Sequence, residues 1–149
     1  MIEIYQARAK DLEEVAHLFN KYRQWYHQPS DLNGAMAFVK ERLEKEESII
    51  FVAVQHKRQV GFVQLYPSFS SISMKRAWIL NDLYVIPEAR QEGVGQGLLS
   101  AAIKLCEETN ASSLSLQTAP DNDRARRLYE KNGFKLDCEF IPYIINFNH

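Results

Sequence analysis

Long apolar runs, cysteines and an excess of charge of one sign are missing or scarce in this sequence of 149 residues. No stretch approaches the ~18 apolar residues that a membrane-spanning helix needs, and residues 1–4 do not begin a secretory signal. The formal net charge is −1, which argues against bulk attraction to nucleic acid or to an anionic membrane. We therefore expect a cytoplasmic protein with neither nucleic-acid nor membrane partners.

The sequence contains two cysteines, Cys106 and Cys138, which are too few for a disulfide framework. Neither has a cationic residue as its immediate neighbour, so nothing local would activate the thiol. We expect both to pack as small apolar side chains, with a reactive role as the less favoured alternative. No metal site is expected.

What the chain does contain is an ordinary globular composition, with 46% hydrophobic and 25% charged residues. A chain of this length buries roughly 70% of its unfolded surface without needing disulfides or metals. There is no internal repeat, linker or low-complexity tract. The sequence therefore predicts one domain over residues 1–149.

The periodicity of the apolar residues divides the chain into strands and helices. Strands are predicted over residues 2–6, 48–54, 60–66, 76–85 and 113–118, with two more within 134–147. Helices are predicted over residues 11–26, 32–43, 94–109 and 123–132. Ser30 is the predicted N-cap of the second helix, residues 67–71 interrupt the third strand, and Gly133 closes the last helix. This order fits an α/β sheet of mixed direction with crossover helices after the fourth and fifth strands.

Residues 83–99 are the most informative segment, because a strand leads through a short loop into three glycines that open a helix. Gly93, Gly95 and Gly97 lack a Cβ atom, so a ligand can lie directly on the backbone there. The first turn of a helix also has amide N–H groups without intrahelical acceptors. Together these features predict a site for phosphate oxygens.

Other glycine-rich motifs fit this segment less well. The dinucleotide fingerprint requires Gly-x-Gly-x-x-Gly, whereas these glycines occupy alternate positions. The nucleotide-triphosphate loop ends in Gly-Lys-Ser/Thr, whereas Gly97 is followed by Leu98. A glycine-rich connection that only permits tight helix–strand packing remains the alternative.

Two sequence blocks resemble the GNAT superfamily of N-acetyltransferases. Arg90-x-x-Gly93-x-Gly95 is similar to the family's acetyl-CoA pyrophosphate loop. The preceding Leu83, Val85 and Pro87 are similar to the end of its long strand. A second block over residues 116–134 resembles the family's later strand, loop and helix. Its marks are Asn122, Ala125, Leu128, Tyr129, Gly133 and Phe134.

The resemblance implies a mixed, mostly antiparallel sheet of about seven strands, flanked by about four helices, with a splayed central strand pair. It implies an acyltransferase that moves an acetyl group from acetyl-CoA to a primary amine of a small molecule or peptide by direct attack. It implies no metal and leaves room for a homodimer. The alternative is a regulatory or interaction module that binds CoA without turnover.

The same resemblance assigns residues to the acetyl-CoA site. In the family the pantetheine arm lies between the splayed strands and the pyrophosphate lies on the loop amides. The positions implied here are Leu83, Tyr84, Val85, Arg90, Gln91, Glu92, Gly93, Val94, Gly95, Gln96 and Asn122. Arg90 and Arg124 would screen the phosphates, although either could equally be an ordinary surface arginine. Asn122 has a second interpretation as the N-cap of the helix that starts at Asp123.

Two residues are candidates for proton transfer. Tyr129 matches the tyrosine with which many relatives protonate the CoA thiolate; the alternative is a tyrosine that only packs beside Leu128. Some relatives use a glutamate as the base early in the long strand, and Ile79 stands near that position here. Asp82 is the nearest carboxylate, and a purely structural hydrogen-bonding role for it is equally weighted.

The first half of the chain is predicted to build the acceptor pocket. Aromatic residues with polar tips suit a primary amine or a substrate carboxylate. The implied residues are Tyr22, Tyr26, Tyr66, Phe69 and Asn81, and simple rim packing is the alternative for each. Two of these segments loosely resemble small fungal histone, polyamine and D-amino-acid acetyltransferases.

Overall fold

Residues 1–147 are described in a computed structural model, and they form five strands and four α-helices. The strands are β1 (Glu3–Gln6), β2 (Ile49–Gln55), β3 (Arg58–Ser70), β4 (Lys75–Val85) and β5 (Leu114–Ser115). The helices are α1 (Leu12–Trp25), α2 (Leu32–Glu44), α3 (Val94–Glu108) and α4 (Asp123–Lys131). The first compact unit is Met1–Gln117, and a second begins at Thr118.

The five strands form one sheet in the order β1-β2-β3-β4-β5. All neighbours run antiparallel except β4 and β5, which are parallel and pair only at Trp78–Leu114 and Ile79–Ser115. β4 therefore continues for six residues, from Leu80 to Val85, beyond its ladder with β5. The expected mixed, mostly antiparallel sheet and the expected number of four helices are confirmed, with five strands among the described residues rather than seven.

Neighbouring residues of β3 show that α1 and α3 cover opposite faces of the sheet. Successive side chains of a strand point to opposite faces. A Cβ atom at Gly61 would meet Val94 and Leu98 of α3. The adjacent Phe62 instead contacts Phe19 of α1, with ring centroids 6.2 Å apart. The core thus has two layers of side chains, one on each side of the sheet.

Two of the differences from the sequence prediction have a clear local reason. Asp31 caps α2, not Ser30, because its carboxylate accepts a hydrogen bond from the Gly34 amide at 2.9 Å. β3 also continues through Pro67 to Ser70 instead of ending. The ladder with β2 stops at Leu65, so beyond that residue one side of β3 is an edge, where proline is tolerated.

The second unit contains α4, whose two ends match the prediction. The Asn122 side chain accepts from the Ala125 amide at 3.2 Å, which makes it the N-cap. Gly133 has a φ of 96°, and the amides of Gly133 and Phe134 bond back to the carbonyls of Glu130 and Tyr129. This pair of hydrogen bonds is the Schellman arrangement for ending a helix.

The two final strands predicted within residues 134–147 are wrong for this structure, because none of those residues lies in a strand. The expected burial of the cysteines is also wrong for Cys138, which is exposed, while Cys106 is half-buried. β5 is shorter than predicted as well, with two residues instead of six. Across residues 1–147, no helix is both long enough and apolar enough to cross a membrane.

Candidate functional site

The loop between β4 and α3 presents backbone amides at the start of a helix. Gln91 and Gly93 both have positive φ angles, of 66° and 86°, so the chain turns sharply before α3. Gly93 is the N-cap and has no side chain to occupy the helix start. The first intrahelical bond runs from the Gly97 amide to the Gly93 carbonyl at 3.0 Å. The amides of Val94 and Gly95 precede this bond and lie in the first turn, where an α-helix supplies no backbone acceptor and an anion can bind.

The end of β4 has no hydrogen-bonded partner on its β5 side, because β5 stops at Ser115. The register of β4 against β3 shifts between Asp82 and Leu80, which leaves Asn81 as the extra residue of a β-bulge. Bulges bend a strand and change the direction of its side chains. Leu83 and Val85 follow the bulge and lead directly into the glycine loop.

Arg90 lies against aromatic rings and the end of β4. Its guanidinium carbon is 4.5 Å from the ring centroid of Trp25 and 6.0 Å from that of Tyr84. Its Nε donates to the Val85 carbonyl at 3.0 Å. Arg90 therefore contacts both α1 and the end of β4. The sequence did not predict this arrangement.

An aromatic cluster lies between α1 and the centre of the sheet. The Tyr22 ring is 5.1 Å from that of Tyr26, 5.7 Å from that of Phe62 and 6.0 Å from that of Tyr84. Burial raises the pKa of Tyr84 above its ordinary value; Arg90 opposes the rise and Glu88 adds to it. Tyr22 and Tyr26, two residues of the predicted acceptor pocket, are thus in direct contact.

A chain of polar side chains is buried beside this cluster. Ser48 Oγ donates to Gln64 Oε1 at 2.8 Å, and Gln64 Nε2 donates to Asp82 Oδ2 at 2.7 Å. Asn81 Nδ2 donates to the other oxygen of Asp82 at 3.1 Å. Gln64 is 0% exposed and Asp82 is 6% exposed. The candidate base therefore has an amide donor on each oxygen.

Tyr66 lies on the same face of β3 as Gln64, since the two are separated by two positions. Burial raises the pKa of Tyr66, and the nearby Asp82 carboxylate raises it further, while Arg42 opposes the rise. Three predicted residues, Tyr66, Asn81 and Asp82, are thus grouped around the buried chain.

The structure does not bring Phe69 together with Tyr22 and Tyr26. Phe69 is seven residues along β3 from Phe62, which corresponds to about 23 Å of strand. It is 73% exposed, and the Arg76 guanidinium covers its ring at 4.4 Å. A groove of about 330 Å³, lined partly by Arg76 and Trp78, lies at this same early part of β4, away from the glycine loop.

Within the second unit, Tyr129 lies on α4 with its ring 5.8 Å from that of Phe134, in an edge-on arrangement. Arg124 is exposed on the same helix. Over the described part of the chain, no three His, Cys, Asp or Glu side chains come together as a metal-binding group.

The sequence prediction missed two members of the buried chain, Ser48 and Gln64. A signal for Gln64 existed, because it is a polar residue inside the otherwise apolar run of residues 60–65. Buried polar side chains need hydrogen-bond partners, so such a residue marks a polar network. Nothing in the sequence identifies Ser48 as its partner.

Comparisons with known proteins agree on one family. The family model for the acetyltransferase (GNAT) family matches residues 7–134. An uncharacterized N-acetyltransferase of Bacillus subtilis (strain 168) is 50% identical over 145 residues, which are 97% of this chain and 97% of that protein. The crystal structure of a probable acetyltransferase has a TM-score of 0.94 at 42% identity, covering 99% of both chains.

A more distant likeness extends to an aminoglycoside N-acetyltransferase whose structure was solved in complex with CoA. Its TM-score is 0.80 at 21% identity, covering 99% of this chain and 96% of that one. At this identity the likeness concerns the fold.

Proposed function

We propose that this chain, which belongs to the GNAT family of acetyltransferases, transfers the acetyl group of acetyl-CoA to a primary amine. The observation that carries the proposal is the glycine loop at the start of α3, directly after a strand whose last six residues have no β5 partner. Family membership supports the acyl transfer itself. The identity of the acceptor as a primary amine is more specific than what family membership supports.

The backbone supports the binding of acetyl-CoA on these two elements. Amides of the first turn of α3, including those of Val94 and Gly95, would hold the pyrophosphate oxygens. The end of β4, at Leu83 and Val85, would hold the pantetheine arm by backbone hydrogen bonds. The Val85 carbonyl already accepts a hydrogen bond from Arg90, so this arginine would have to release it or share it. Asn122 would act chiefly as the cap of α4.

The proposed chemistry needs one proton acceptor and one proton donor. The amine nitrogen bonds to the acetyl carbon, the carbon–sulfur bond breaks, and the amine loses a proton. Asp82 would take that proton through water, because it is buried and both of its oxygens already accept hydrogen bonds. Tyr129 would donate a proton to the departing thiolate.

The acceptor would lie against the aromatic cluster of Tyr22, Tyr26 and Tyr84. Aromatic faces attract an ammonium or its methylenes, and the phenol tips bind polar groups. Tyr66 and Asn81 would contribute from the neighbouring strands. Phe69 is left out of this pocket because of its distance along β3.

Binding and turnover can be tested separately. Acetyl-CoA at 100 times its Kd should stabilise the folded protein by about 2.7 kcal/mol, measured as a rise in melting temperature. Gly95→Val should abolish the rise, because its branched side chain would occupy the place of the pyrophosphate. Wild-type protein whose melting temperature is unchanged by saturating acetyl-CoA would contradict the proposed site.

Turnover is measured as release of free CoA thiol over a panel of amines. Thiol release that depends on an added primary amine supports the enzyme. Binding of acetyl-CoA without thiol release for any amine would instead favour a CoA-binding module.

A further inference from the structure

Gln64 is buried in the middle of β3, where a leucine or valine would otherwise be expected. Its side chain is fully enclosed, and both of its polar ends are satisfied. A buried polar group without partners is costly, so such a residue persists in a core only as part of a complete network. The network of Gln64 ends on Asp82, the candidate base.

We propose that Gln64 is a positioning residue for Asp82, held in one orientation by Ser48 so that its amide fixes the orientation of the Asp82 carboxylate. This inference rests on the proposed acetyl transfer with Asp82 as the base. Ser48 donates to Oε1 of Gln64, which directs the Nε2 donor toward Asp82. The reverse orientation of the amide would set two oxygen acceptors against each other.

The effect follows from how hydrogen bonds act on a buried acid. Burial disfavours the ionised form of a carboxyl group, whereas a donor to the carboxylate favours it. Asp82 lies 6% exposed, and Gln64 supplies the shorter of its two amide contacts, at 2.7 Å against 3.1 Å for Asn81. Loss of the Gln64 donor should therefore reduce the activity most on the acidic side of the pH profile.

Other charged or titratable groups on this face are few and can be controlled. Tyr66 of β3 is electrostatically coupled to Asp82, and Arg42 of α2 is coupled to Tyr66. Tyr22 of α1 lies next to Tyr84, two positions along β4 from Asp82. None of these side chains is altered by a change at Gln64 or Ser48, so their contributions are common to every variant below.

The principal experiment compares pH profiles of kcat/KM for wild type and Gln64→Leu with one amine acceptor. The acidic limb should move to higher pH by about one to two units, the amount expected for a hydrogen bond to a charged group. Rates at high pH should remain close to those of the wild type. A uniform loss at every pH, or an unmoved limb, would overturn the proposal. Asp82→Asn should remove this acidic limb, because the group that causes it is gone.

Ser48 gives a milder second test that does not remove Gln64. Ser48→Ala leaves Gln64 free to turn over, so the limb should move in the same direction by a smaller amount. Ser48→Thr keeps the hydroxyl and should restore the wild-type profile. If Gln64→Leu does not fold, these two variants decide the question, and identical profiles for both would count against the proposal.

Gln59 is the matched control, since it is another buried glutamine of β3, 7% exposed, and it pairs with Val54 near one end of the β2 ladder whereas Gln64 pairs with Ile50 near the other. Gln59→Leu should leave the acidic limb unmoved, whatever it does to the melting temperature. A limb that moved equally in Gln59→Leu would show that general loss of stability causes the effect.

A readout without turnover separates this inference from the proposed function. In protein labelled with ¹³C at the aspartate carboxyl carbons, the Asp82 signal is the one missing from Asp82→Asn. The chemical shift of this signal at neutral pH should change in Gln64→Leu and stay as in the wild type in Gln59→Leu. If the signal moves while no amine is acetylated, the positioning by Gln64 stands and the proposed activity fails. If amines are acetylated and the signal does not move, the positioning role fails alone.

Discussion

The side chain of Tyr129 combines a hydroxyl with an aromatic ring, and in the structure the ring has a packing partner. Phe134 packs against it edge-on, immediately after the Schellman turn that ends α4. The packing interpretation of this residue is therefore satisfied whether or not the phenol donates a proton. Only a change that keeps the ring and removes the hydroxyl can separate the two.

Tyr129→Phe should lower kcat by about 10²- to 10⁴-fold, the range typical of general acid catalysis, while acetyl-CoA still raises the melting temperature. The ring contact with Phe134 remains in this variant, so the melting temperature of the free protein should change little. Steady-state kinetics and thermal melts measure the two effects. A fall in kcat of less than a few-fold would mean that water or another group protonates the thiolate.

Asp82 shows how far a sequence can define a residue of this kind. Its place near the glycine loop indicates a carboxylate close to the reaction, and the alternation of β4 indicates which face it occupies. Whether it is structural or reactive depends on its partners. Those partners, Gln64 and Ser48, are 18 and 34 residues away in the chain. A contact across two strands depends on register, which the local pattern does not specify.

At the scale of elements, β3, β4 and α3 meet at Gly61. A Cβ atom there would lie 2.8 Å from the backbone carbonyl oxygen of Tyr84 and 3.2 Å from side-chain atoms of Val94 and Leu98. The carbonyl belongs to the paired strand and cannot turn aside. The close approach of α3 to the sheet, and with it the position of the glycine loop, therefore depends on the absence of a side chain at Gly61.

Gly61→Ala should destabilise the protein by about 1–3 kcal/mol, as overpacking of a core does, when measured by urea unfolding. Gly97→Ala is the matched comparison, because its Cβ would meet only the flexible end of Ile4, at 3.2 Å. Alanine is also favoured over glycine inside a helix by about 1 kcal/mol, so Gly97→Ala should be neutral or stabilising. Equal losses in the two variants would contradict this account of the packing.

Element prediction succeeded where the signal was local and failed where pairing decided the outcome. The apolar stripes of α1 and α3 follow from the spacing of their residues. The end of α4 follows from Gly133, whose positive φ angle suits the residue after a helix. The strands expected within residues 134–147 have suitable β-branched and aromatic residues, but a strand also requires a hydrogen-bonded neighbour. Pro67 is the opposite case. It was expected to interrupt β3, but the strand accommodates it because the ladder with β2 ends before that position.

For the whole molecule, the order of elements and two motif blocks were enough to predict the family, and the family match confirms it. The short β4–β5 ladder leaves the end of β4 unpaired on that side, and the splay of the two strands stays a prediction. What remained beyond the sequence is the set of contacts between distant segments, such as Arg90 on Trp25 and Asp82 on Gln64. The single domain over residues 1–149 stays a prediction.

Several phenols together predict how the stability of the molecule depends on pH. Burial raises the pKa values of Tyr5, Tyr66 and Tyr84 above the ordinary value of 10.0, with contributions from neighbouring charges. Because the folded state holds these protons more tightly than the unfolded state, the stabilisation is complete below pH 10. It is lost as the pH rises through 10 toward the raised values.

The free energy of unfolding should therefore fall with rising pH above about pH 10, and Tyr66→Phe should make that fall shallower. Urea unfolding at a series of alkaline pH values measures the slope. Tyr143→Phe, which changes an exposed tyrosine, is the control and should leave the slope as in the wild type. If Tyr66→Phe and the wild type lose stability with the same slope, then the buried phenol of Tyr66 does not contribute to the alkaline loss. The burial that raises its pKa would then be absent in solution, and the proposed grouping of Tyr66 with Asp82 would fail with it.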